Sequence, residues 1–80
     1  MLTPAHSTKL SECHNGQVSQ IVALQGSLEL KMRLVNLGFH THSIVETVLT
    51  RGQNMVVSVD GSRFAIDKAI AEYIQVEPLA

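Results

Sequence analysis

Two β-rich runs, 44–50 and 55–60, are separated only by Arg51-Gly52-Gln53-Asn54, a link with the length and the glycine of a hairpin loop. Asp60-Gly61 repeats that signal immediately before a third run, 63–66, so the second half of the chain is committed to antiparallel neighbours. Val18 to Leu24, rich in β-branched residues and closed by Gln25-Gly26, adds a strand, and Ile74 to Val76 adds a closing one that Pro78 is expected to stop. Five short strands in a chain of 80 residues predict an all-β fold, mainly β with a short helical insertion, rolled into a small closed or partly open barrel that hides most sheet edges.

The insertion is the segment Ser27 to Leu37. Leu28, Leu30, Met32 and Leu34 alternate as in a strand, while Leu30, Leu34 and Leu37 fall at helical spacing. Punctuation decides for a helix of about three turns: Ser27 is a good N-cap, Glu29 sits in the first turn four residues before Arg33, and Gly38-Phe39 has the form of a C′ glycine with its apolar partner. Leu10 to Cys13 predicts a short helical or turn element, His14-Asn15-Gly16 a turn, and Asp67 a cap for a short helix through Lys68, Ala69 and Ile70. Met1 to Lys9 has no periodicity and reads as a flexible arm, which leaves 10–80 as one domain.

With no Trp, one Tyr and two Phe among 45% hydrophobic residues, the core has to be built from aliphatic side chains. The expected set is Val18, Ile21, Leu24, Leu30, Leu34, Leu37, Val45, Val48, Val57, Val59, Ile66, Ile70 and Ile74. A net charge of -1, with basic residues scattered among the acids, leaves no basic stripe for a phosphate backbone, so nucleic acid is not an expected partner. A single cysteine excludes an internal disulfide and fits a reducing compartment, the cytoplasm by default. No apolar run approaches the roughly 20 residues that span a bilayer, and the first residues lack the pattern of a signal peptide. Any connection to a membrane is therefore expected to run through a partner, without direct insertion.

Candidate chemistry is sparse. His40 and His42 share one side of an extended segment and, with Cys13, His14 or His6, offer ligands to a transition metal; there is no Cys-x-x-Cys, and no acid lies in the loop. The expectation is an exposed loop pair with no resident cofactor and at most adventitious Fe2+ or Zn2+ binding. The alternative is a stand-alone metal-binding or metal-sensing module using His40, His42 and Cys13. Cys13 would be reactive beside a protonated His14, but it reads better as a small buried hydrophobe. Neither a Gly-x-Ser-x-Gly elbow nor a phosphate-cradling loop is present, so the chain is not expected to be an enzyme. Arg33 is either a partner contact or the solvated end of a Glu29 pair. Leu37 and Phe39 are core and cap residues first and docking residues second.

Met32-Arg33-Leu34-Val35-Asn36-Leu37-Gly38-Phe39 resembles the signature of the FeoA family, a basic residue and Leu followed by Leu-Gly and an apolar residue. The likeness continues through Leu10, Cys13, Gly16, Val45 and Val48 to Val57, Val59, Gly61, Arg63, Ala65 and Ile66, then Ala71, Ile74 and Val76. It implies an SH3-like barrel with a helix inserted between the first two main strands. It also implies a cytoplasmic adaptor of ferrous iron uptake that works by protein–protein interaction with FeoB, the permease that carries a GTP-binding domain. The docking residues this suggests are Lys31, Arg33, Leu37, Gly38 and Phe39. A related barrel closes iron-dependent repressors, behind a DNA-binding domain. One departure is Thr41-His42, which stands where the family often has Pro-Gly and requires a His in the turn.

Overall fold

A computed structural model describes residues 7–79. Its elements in chain order are β1 (Thr8–Lys9), a 3-10 turn (Leu10–Glu12), β2 (Val18–Leu24), α1 (Leu28–Leu37), β3 (Ile44–Arg51), β4 (Asn54–Val59), β5 (Ser62–Asp67), α2 (Lys68–Ala71) and β6 (Ile74–Pro78). Residues 1–6 of the expected arm, His6 among them, lie outside the described residues. Thr8 and Lys9 do not continue that arm: they pair with Val76 and Gln75 of β6. Their partner is far away in sequence, so no local pattern announces the strand.

All strands are antiparallel and form one curled sheet in the order β1-β6-β2-β3-β4-β5. The hairpin expected after β3 has a two-residue turn, Gly52-Gln53, with Arg51 opposite Asn54. The next, Asp60-Gly61, has both residues at positive φ, 50° and 90°, as a mirror-image turn between twisted strands requires. Pro78 lies within β6 rather than stopping it. Opposite Ser19 it needs no N–H toward β2, because Leu79 donates to the Val18 carbonyl at 2.9 Å.

Each of the two central strands carries a bulge. Ile21 faces Val76 while Ala23 faces Gln75, leaving Val22 as the extra residue in β2. Thr47 faces Val57 while Leu49 faces Val56, leaving Val48 as the extra residue in β3. Such bulges sharpen the local twist and help a short sheet curl around its contents.

Those contents are Leu10, Ile21, Phe39, Val45, Met55, Val57, Ala71, Ile74 and Val76, all fully buried, with Cys13, Leu34 and Val59 beside them. Leu24, Leu30, Ile66 and Ile70 pack against this cluster as half-buried residues. Three core expectations fail. Val48 is only half-buried because the bulge hands its inward position to Thr47, which is 1% exposed. Val18 opens its strand at 37% exposure, and Leu37 is 46% exposed where the helix ends and the chain turns away.

Candidate functional site

The expected docking residues all lie on α1 or directly behind it. Ser27 opens the helix by accepting a hydrogen bond from the Leu30 N–H at 3.1 Å, satisfying one of the free donors of the first turn. Gly38 closes it at φ 114°, and the Phe39 N–H returns to the Leu34 carbonyl at 2.9 Å. Phe39 then drops into the core against Phe64, ring centroids 5.6 Å apart. Leu34 and Phe39 are buried in the barrel, and half-buried Leu30 packs against the same cluster.

The outward side of α1 is unusual in being apolar. Leu28, Met32 and Val35 are 73%, 58% and 40% exposed. They follow the i, i+4, i+7 rule and stand roughly 200° round the helix from Leu30 and Leu34. Lys31, half-buried, borders this row at i+3 from Leu28 and four residues before Val35, while Arg33, exposed, stands roughly 130° round the helix from it. Among the described residues no ion pair joins Glu29 to Arg33, so the guanidinium is not the end of a local pair. Of the other expected contacts, Leu37 is exposed, Gly38 half-buried, and Phe39 fully buried. Phe39 is therefore corrected from a docking residue to an anchor, since a ring inside the core has no surface to offer. The row Leu28-Met32-Val35 was missed in the sequence; once a helix was accepted, its spacing was the signal available.

The loop after α1 is tied down on one side. The His42 N–H donates to the Ile21 carbonyl at 2.7 Å, the Ser43 N–H to the His40 carbonyl at 3.0 Å, and the Gln20 side-chain amide to the His42 carbonyl at 3.2 Å. His42 does take the left-handed conformation, φ 78°, that Thr41-His42 was expected to require. His40 and His42 are both exposed.

Cys13 is elsewhere and buried, its Sγ 3.7 Å from the Lys9 carbonyl, 3.9 Å from Ser19 Oγ and 3.5 Å from Gln17 Nε2. Burial pushes its thiol pKa up, against the lowering effect of the Ser19 hydroxyl, which is the reverse of what a reactive thiolate needs. His14 is exposed on the turn that follows. Among the described residues no three His, Cys, Asp or Glu side chains converge on one metal position, so the combination of His40, His42, Cys13 and His14 is not assembled. Nor does any described helix have the length and apolarity to cross a membrane.

The signature on α1, the left-handed cap behind it and the buried Phe39 meet in one local structure. A comparison with protein families agrees with it: the FeoA domain matches residues 8–78. The chain belongs to the FeoA family. It is similar to a crystal structure of the iron uptake regulatory protein FeoA, at 27% identity over 91% of this chain and 99% of that one, with a TM-score of 0.86. It is also similar to the FeoA of Stenotrophomonas maltophilia, a prokaryotic SH3 domain protein complexed with zinc, at 25% identity, 88% and 89% coverage and TM-score 0.79. A manganese-dependent transcriptional repressor shares the fold alone, at 18% identity and TM-score 0.89 over 98% of this chain and 39% of that one. No curated protein matched this sequence. The fold is thus an SH3-like barrel, and the family is associated with ferrous iron transport.

Proposed function

We propose that this FeoA-family protein is a cytoplasmic, non-enzymatic adaptor of ferrous iron uptake, and that it docks on the GTP-binding portion of a FeoB-type permease through α1. The observation that carries the reading is the exposed row Leu28, Met32 and Val35, bordered by Lys31, with Arg33 exposed farther round the same helix. A surface helix ordinarily turns its apolar side inward and its polar side to water. This one has a second apolar line facing out, and apolar residues edged by a basic side chain are the usual material of interface anchors. The barrel does not require that line for its core, so the surface is free to be specified by a partner.

Binding of the purified protein to the permease's isolated cytoplasmic portion, measured by titration calorimetry, tests the proposal. Lys31→Glu with Arg33→Glu should weaken association by about 1–3 kcal/mol and lower ferrous iron uptake in cells that depend on this route. Full binding and full uptake by that correctly folded double variant would remove α1 from the interface.

A further inference from the structure

The curled sheet ends at β5, which pairs only with β4 in the strand order. The two-residue Asp60-Gly61 turn makes Val59 and Ser62 a hydrogen-bonded pair, and bonded pairs then recur at Val57 with Phe64 and Met55 with Ile66. The Lys68 N–H, donating to the Gln53 carbonyl at 2.8 Å, keeps the same phase. It follows that the N–H and C=O groups of Arg63 and Ala65 and the N–H of Asp67 point away from β4, off the edge of the sheet. The Asp67 C=O is taken by the first turn of α2, whose N-cap it is, and its Oδ1 accepts from the Ala69 N–H at 2.7 Å. The side chains of Arg63, Ala65 and Asp67 are exposed, as is that of Ser62 beside the turn, while Phe64 and Ile66 turn inward and are half-buried.

We propose that this edge pairs with the same edge of a second copy of the chain, antiparallel about a two-fold axis through Ala65. In that register Ala65 faces Ala65, and Arg63 of each copy faces Asp67 of the other. The Ala65 pair exchanges two main-chain hydrogen bonds, and each Arg63–Asp67 pair makes one, from the Asp67 N–H to the Arg63 C=O, because the Asp67 carbonyl is held by α2. Charge complementarity selects the register: centring the pair on Arg63 or on Asp67 would set like charges face to face, which disfavours a cross-strand pair. Charged residues on an edge strand usually prevent pairing altogether. Here one of each sign, four residues apart, opposes other symmetric registers and supports this one.

The outer face reinforces the choice. Leu49 lies across from Val56, and Val56 across from Ala65. With Met55, Arg51 and Asn54 they line a shallow groove of about 210 Å³. Joining two edges at Ala65 would continue this apolar row from Leu49 of one copy to Leu49 of the other, with an Arg63–Asp67 pair on each side of it. The partner is thus a second copy, and the surface is separate from the α1 face, so this inference does not rest on the permease reading.

A single strand pair buries little area, so sedimentation equilibrium on the full chain should extend to about 1 mM protein. A monomer–dimer equilibrium is expected. Ala65→Pro removes an outward N–H without touching the β4 pairing, and should leave the far-UV spectrum intact and the protein monomeric throughout. Arg63→Asp should weaken the dimer at least about tenfold, the loss of two facing ion pairs. Mild oxidation of Ala65→Cys should yield a disulfide between the two substituted positions, since a hydrogen-bonded pair holds its Cα atoms about 5.5 Å apart, within bridging range. A chain that stays monomeric to about 1 mM overturns the proposal. So does a dimer indifferent to Arg63→Asp, and so does one abolished by Met32→Asp instead, which would place self-association on α1.

Discussion

Strand β4 and helix α1 use their apolar residues in opposite ways. In β4, Met55, Val57 and Val59 alternate inward and are all buried, with pairing on both sides from β3 and β5. In α1, ten residues long, only Leu34 is buried, although Leu28, Met32, Val35 and Leu37 are also apolar. Hydrophobicity in β4 is used for folding; in α1 most of it is left over. An element that can lose most of its side chains without opening the core is where a small barrel can carry a recognition surface, because its sequence is free of the packing constraint.

Mutations can break or sharpen this contrast. The largest effect is expected at Met55→Ala, which empties a fully buried site and should cost about 2–5 kcal/mol in denaturant unfolding. Ser27→Ala, which removes the cap from α1, should cost about 1 kcal/mol and loosen the helix more than the sheet, as hydrogen exchange of the two elements would show. Leu28→Asp should lie within about 0.5 kcal/mol of the parent, since its side chain is largely solvated. A cost above about 1 kcal/mol there would mean that the exposed row is packing after all.

What was legible in the sequence was what is decided locally. Gly52 and Asp60-Gly61 turn the chain within a few residues, and Ser27 and Gly38 close the helix from its own ends, so hairpins and helix were readable. Side assignment was less so, because it is settled by closure of the sheet. The bulge at Val48 reverses the phase within β3, and nothing in the pattern Ile44 to Thr50 marks where the step falls. Leu10 and Ala71 are absent from the expected core for a related reason, each being buried by distant elements, whereas Met55 and Val76 continue the alternation of Val57 and Ile74 and were legible from it. For the candidate site, resemblance to a family points to α1, where Lys31 borders the exposed apolar row. The row itself is masked in the sequence because Leu28 and Met32 also alternate with Leu30 and Leu34 as in a strand.

The burial of Cys13 has a practical consequence. It sits behind the 3-10 turn, among Lys9, Gln17 and Ser19, at a seam where the two ends of the chain are brought together by β1 and β6. A thiol reagent reaches its largely covered Sγ when the 3-10 turn lifts away from Gln17 and Ser19. The rate of modification, followed in the native protein, therefore reports local opening of the 3-10 turn against β2. The molecule carries its own clock for that motion, with no label to be introduced.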